Sequence, residues 1–285
     1  MTARILLVED EELNRVLVRA VLARADDPEV RDARLVEAVR GDYAGTLFSE
    51  GPEVDALAAD LLEWEGCFTH FHSADEPDLG PTDAQEERFL QALDALPPPR
   101  GDAPRRTIHS ANSAAALRRN GFGLDLVRPG IFLYGGSAGP GAVPEPVASV
   151  RARVALIRDV PSGWSCGYGA TYTSRRPERW GTLAIGYGDG LPRALGPAGG
   201  EALVRGRRVP ILGRISMDMT VVDLTDVPEA GAGDAATLIG RDGGEEIGLD
   251  EVAARGGTIS YEVLTGLGAR LPRVYVDGTR GPGRA

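Results

Sequence analysis

Apolar and polar positions follow two different rhythms along this 285-residue chain, and the rhythm changes near residue 140. At the start, Ile5 to Val8 form a short apolar run, acids fill Glu9 to Glu12, and Leu13, Val16, Leu17, Ala20 and Val21 recur at helical spacing. That pattern predicts a strand, a turn and a helix. Farther on, GCFTHF (66–71) predicts a strand, residues 83–96 an amphipathic helix closed by Pro97, Pro98 and Pro99, and TIHSA (107–111) a short strand. Residues 112–119 predict a helix and LVRPGIFLYGG (126–136) a strand and turn. Strands alternating with helices predict an α/β part built on parallel strands.

Residues 137–146 are rich in Gly and Pro and predict a linker. Beyond them, VASVRARVALIRDV, WGTLAIGYGDG, EALVRGRRVPILGRISMDMTVVDL and RLPRVYVDG carry alternating or β-branched runs separated by turns. Helical spacing returns only near 249–254 and 260–267. The pattern therefore predicts a mainly β domain over 147–278, preceded by α/β segments at 1–60 and 61–136.

Charge sharpens this division. Residues 1–100 hold 23 acids against 9 arginines, whereas residues 101–285 hold 19 acids against 22 arginines. A net charge of −11 argues against a nucleic-acid partner. With no long apolar run and no signal-peptide pattern, the expectation is a soluble, cytoplasmic protein with no membrane partner. Cys67 and Cys166 have no metal-type spacing, so no metal site is expected. One absence constrains the chemistry most: all 31 basic residues are arginine, and no lysine occurs. Arginine cannot form a Schiff base or act as a tunable amine.

Seven stretches, FTHFHSADEPD, HSANSAAALRR, VRPGIFLYG, GYGATY, IGYGDG, GRISMDM and TISYEVLTGLGARLPRVY, resemble alanine racemases in their order and rough spacing. The resemblance covers residues 64–278 and implies a pyridoxal 5′-phosphate (PLP) enzyme. Its expected features are a (β/α)8 barrel, a C-terminal β domain and a homodimer with shared active sites. It further implies that L- and D-alanine are interconverted through a PLP aldimine, supplying D-alanine for cell-wall synthesis. By the same resemblance Ser113 holds the phosphate, Gly130 and Ile131 add backbone N–H groups, and Tyr261 adds a hydroxyl. Arg128 faces the pyridine nitrogen, and His70 packs beside the ring. Tyr168 of GYGATY corresponds to the catalytic base, which in the family is helped by a neighbouring histidine–arginine arrangement. Met217 and Asp218 line the substrate side from the partner chain, and Tyr187 and Arg193 shape the entry corridor.

The chain departs from that pattern at its start. The family's lysine, which holds PLP and serves the second substrate face, has no counterpart. Nor does the arginine that grips the substrate carboxylate. Residues 4–60 instead resemble the opening of a response-regulator receiver, with Glu9 and Asp10 at the acidic pair and Asp60 as the candidate phospho-acceptor. The expectation is a composite or truncated racemase-like chain, impaired in catalysis and binding PLP non-covalently at best. The alternative is a non-catalytic binding or dimerising module, or a receiver-fused signalling protein.

Overall fold

The computed structural model describes residues 66–94 and 105–276. The receiver-like segment, with Glu9, Asp10 and Asp60, lies outside the described residues. The chain divides into two compact units: one runs to Gly130 and takes in Ala138–Ala142, the other comprises Ile131–Ser137 and the residues from Val143 onward.

The first unit is α/β. Strand β1 (Gly66–Phe68) pairs in parallel with β2 (Thr107–His109), Phe68 opposite His109. Between them runs helix α1 (Gly80–Asp94), which buries Phe89. It begins three residues before the expected start because Asp78 accepts a hydrogen bond from the Gly80 N–H at 2.9 Å and supports the first turn. Helix α2 (Ser113–Arg118) is capped by Asn112, whose side chain accepts the Ala115 N–H at 3.0 Å. Phe71 and Phe122 pack against each other with ring centroids 4.9 Å apart and are fully buried.

The strand expected over 126–136 does not form. Arg128 makes a single parallel bridge to Asn112, and Ile131–Tyr134 turn as a 3-10 helix. Pro129 has no N–H to continue a ladder, which accounts for the break. The strand expected from GCFTHF is likewise shorter, ending at Phe68.

The second unit is built on a seven-stranded sheet. Its strands are β3 (Val150–Val160), β6 (Glu178–Leu183), β7 (Glu201–Val204), β8 (Arg207–Pro210), β9 (Thr220–Asp223), β10 (Ala235–Asp242) and β11 (Glu245–Ile247). The order is β8-β7-β10-β3-β6-β9, all antiparallel, with β11 also on β10. Val154, Leu183, Leu203, Val204, Val222 and Leu238 fill its core. Short strands β4 (Ser165–Cys166) and β5 (Tyr172–Thr173) form a separate hairpin. Helices α3 (Leu249–Gly256) and α4 (Ser260–Gly266) match the two returns of helical spacing. Helix α3 ends on Gly257 at φ +71°, the left-handed stop that glycine adopts without cost.

Candidate active site

In the first unit the end of the parallel pair gathers two of the expected site residues, Arg128 and His70. The Arg128 guanidinium donates to the carbonyls of Thr69 at 2.8 Å and Ser110 at 3.3 Å. It also lies 2.5 Å from His109 Nδ1 and 3.5 Å from His70 Nδ1. Its carbon sits 5.0 Å from the centre of the Phe68 ring, which itself stacks on His109. Burial and then the adjacent Arg128 charge push the His109 pKa down, so the imidazole is neutral near pH 7. A neutral ring can accept the guanidinium N–H through Nδ1. Arg128 is therefore a part-buried, fixed cation rather than a surface charge before a turn, and burial lowers its own pKa. Two of the chain's three histidines, His70 and His109, thus stand beside Arg128 in this unit.

Ser113 opens α2 and is buried, and its Oγ accepts the Gly130 N–H at 2.7 Å. Two atoms expected at a phosphate are thus already neighbours. The serine hydroxyl keeps its proton to donate to an anion. Ile131 and Tyr261 belong to the second unit. Ile131 is buried, whereas Tyr261 stands exposed on the first turn of α4.

Tyr168 occupies the turn of the β4–β5 hairpin, 63% exposed. Gly167 and Gly169 both have φ +76°, and Ala170 has φ +48°. A Cβ at Gly167 would stand 2.7 Å from the Arg214 amide nitrogen, so only glycine fits there. Arg214 anchors the turn twice, donating its N–H to Thr171 Oγ1 at 3.1 Å and a guanidinium N–H to the Tyr168 carbonyl at 3.4 Å.

The second tyrosine of the motif is held differently. Tyr172 donates its hydroxyl to the buried Glu178 carboxylate, 3.0 Å from each oxygen. Trp180 Nε1–H donates to the same carboxylate at 2.7 Å. Burial, then the hydrogen bond to Glu178, push the Tyr172 pKa up to about 12. A phenol so placed stays protonated and cannot serve as a base near neutrality.

From Gly213 the same segment runs on to Met217 and Asp218, both exposed, as is Arg193. Tyr187 donates its N–H to the Ser216 carbonyl at 3.0 Å, and Gly188 donates to the Met217 carbonyl at 2.8 Å. Tyr168, Tyr187, Met217 and Asp218 therefore hang on one connected set of turns. Sequence reasoning missed the cation that joins them. Arg270 pairs with Asp189 at 3.0 Å and with Asp218 at 2.8 Å, which holds the Tyr187 turn beside the Asp218 turn. Its only sequence signal was a place inside the quoted stretch GLGARLPRVY.

Comparison with known proteins decides the family. The alanine racemase N-terminal domain model matches residues 44–138, and the C-terminal domain model matches residues 147–275. The chain belongs to the alanine racemase family. An alanine racemase from Halothermothrix orenii is 42% identical over 218 residues, 75% of this chain and 57% of the relative. The crystal structure of alanine racemase from Bacillus anthracis with bound L-Ala-P superposes with a TM-score of 0.70 at 39% identity, covering 80% of this chain and 59% of that one. The structure from Bartonella henselae with covalently bound pyridoxal phosphate gives 0.68 at 31% identity, covering 80% and 62%.

These matches bear out the expected fold class, an α/β part followed by a mainly β domain, and identify PLP as the family's cofactor. The N-terminal match begins at residue 44, inside the segment read as receiver-like, so residues 44–60 align with racemases. The chain spans about three fifths of the length of the relatives it matches. Among the described residues no helix is long and apolar enough to cross a membrane.

The described residues fit PLP in part. Ser113 with Gly130 suits a phosphate, and Arg128 offers a fixed donor to a ring nitrogen that remains unprotonated. The covalent tether does not fit, because no lysine exists anywhere in the sequence.

Proposed function

We propose that this chain is an alanine-racemase-type protein that retains one base of a two-base α-proton exchange and lacks the other. The carrying observation is the contrast within GYGATY. Tyr168 is presented on an anchored, exposed turn, while Tyr172 is locked to Glu178. Tyr168 is the group that moves the α-proton on one face of a small amino acid, alanine by likeness to the named relatives. The active assembly is a dimer in which Tyr168 of one copy serves the other copy's cofactor site.

Bound PLP supplies the electron sink that makes an amino acid α-proton acidic. By likeness to the family, Ser113 and Gly130 in the first unit and Ile131 and Tyr261 in the second would each contact its phosphate, and Arg128 would face its ring nitrogen. A guanidinium donates and cannot accept, so it would keep that nitrogen unprotonated and the sink weak. Arg128 together with His70 supplies the histidine–arginine support that a phenolic base requires. Met217 and Asp218 border the substrate, and Tyr187 and Arg193 border its approach. Without lysine the cofactor is held non-covalently, and exchange on the second face has no base.

Titration of the purified chain with PLP, followed by borohydride and an alanine exchange assay, tests this reading. Saturable binding, no trapped adduct on any side chain and no exchange above the PLP blank are expected. A side-chain adduct would overturn the non-covalent assignment. Racemisation by the chain with free PLP would overturn the impairment. Absence of saturable binding would instead leave a non-catalytic interaction module, the alternative that the missing lysine favours.

A further inference from the structure

We infer that Asp250 is a positioning residue for the phosphate end of the cofactor, an inference that rests on the reading of Ile131 and Tyr261 given above. Those two residues lie 130 positions apart in the second unit. Ile131 heads a 3-10 turn that ends in Gly135, Gly136 and Ser137, and Tyr261 rides the first turn of α4. Asp250, in the first turn of α3, touches both pieces. Its carboxylate accepts the Ser137 N–H, at 2.9 Å from Oδ2 and 3.1 Å from Oδ1, and accepts the hydroxyl proton of buried Ser260.

Ser260 is the residue before Tyr261, and α4 has no side-chain cap of its own. The Asp250–Ser260 bond therefore fixes the first turn that carries the tyrosine. On the other side, the Ser137 bond fixes the end of the turn that begins at Ile131. Gly136 closes the corner. Its N–H bonds back to the Ile131 carbonyl at 3.1 Å, and a Cβ there would fall 2.5 Å from Ile131 Cγ1 and 3.1 Å from Ser260 Cβ. Ile131 and Ser260 thus both crowd the bare face of Gly136, with one carboxylate joining the Ser137 backbone to the Ser260 hydroxyl. Asp250 touches no reacting atom in this arrangement. Its effect passes through Ile131 N–H and the Tyr261 hydroxyl.

The test compares pyridoxine 5′-phosphate with pyridoxine, neither of which has an aldehyde to react with amines. Quenching of tryptophan fluorescence in the full-length chain reads their binding. The unaltered chain is expected to prefer the phosphate ester. Asp250→Ala is expected to weaken the ester about tenfold, the scale of one hydrogen bond to a charged group, and to leave pyridoxine unchanged. Asp250→Asn, which keeps one carbonyl oxygen for the Ser137 N–H, is expected to fall between.

A role confined to fold stability would shift both ligands together and would overturn the inference. So would equal affinity of Asp250→Ala and the unaltered chain for the ester. Should Asp250→Ala fail to fold, the Asn variant and Ser260→Ala carry the same comparison. An unaltered chain that does not distinguish the two ligands would overturn the phosphate reading itself, and the role of Asp250 with it.

Discussion

Two phenols four residues apart, Tyr168 and Tyr172, meet different surroundings. Tyr172 is half-buried against Trp180, at a centroid distance of 6.0 Å, and gives its proton to a carboxylate that has no cationic partner among its hydrogen bonds. Its neutral form is what the fold stabilises, since its pKa rises from 10 to about 12. The contribution is complete below the unfolded value and is lost as pH climbs through the folded one. Between about pH 10 and 12, unfolding free energy should therefore fall more steeply in the unaltered chain than in Tyr172→Phe. Denaturant melts across that range check it, and equal slopes would show that Glu178 does not hold the phenol. At neutral pH, Tyr172→Phe should cost about 1–2 kcal/mol, because the Glu178 carboxylate loses one of its buried donors.

At the scale of elements, the second unit is clasped by charge as well as by its core. Arg208 on β8 pairs with Glu201 on β7 at 2.9 Å, Glu245 on β11 at 3.1 Å and Glu251 on α3 at 2.7 Å. Arg255 reaches the same Glu201 and Glu251. One arginine thus spans three strands and the helix that carries Asp250. The hydrogen bond from Arg208 is the main reason that the Glu251 pKa lies below 4.5. A depressed carboxylate stabilises the fold above its unfolded value and ceases to do so as pH falls. Arg208→Ala should accordingly lower stability by about 1–2 kcal/mol at pH 7, more than an isolated surface pair because it serves three partners. That difference should shrink below pH 4.5. Thermal melts of both proteins at pH 7 and pH 4 measure it, and an unchanged difference would assign the effect to packing.

The same scale shows what the sequence made legible. Helices α3 and α4 and the strands from β3 to β11 announce themselves because their apolar spacing matches the faces they bury. The β run read in RLPRVYVDG, by contrast, forms no strand over its described residues, where Val274, Tyr275 and Val276 stand exposed and bury no face. The 126–136 stretch misleads because a run of apolar residues reads alike as strand or as turn, and Pro129 decides it. Single-residue roles from the motifs were visible where a special backbone or a phenol was required, as at Gly167 and Tyr168. Arg270, Asp250 and Glu178 were not. Each reaches at least one partner 6 to 113 positions away, and no local period encodes such a pairing.

For the whole molecule, the question is what a racemase-type β domain can do on a chain without lysine. On the proposed reading Tyr168 serves the cofactor site of the other copy, so the missing base can come from the other member of a pair. A full-length alanine racemase whose own base tyrosine has been changed to phenylalanine retains its lysine and its cofactor. Co-expressed with this chain, it should regain racemase activity in mixed dimers, since each mixed pair holds one site with both bases. Tyr168→Phe in this chain should abolish the rescue, whereas Tyr172→Phe should preserve most of it, because Tyr172 keeps its proton, hydrogen-bonded to Glu178, in the working pH range. Gly167→Ala should weaken rescue without removing the phenol: its φ of +76° and the 2.7 Å approach to Arg214 force the turn to move. Co-purification of the two chains with an exchange assay on each pair gives the readout. Mixed dimers that form but stay inactive would show that Tyr168 is not delivered to the partner's site. Rescue by Tyr168→Phe would place the working base elsewhere.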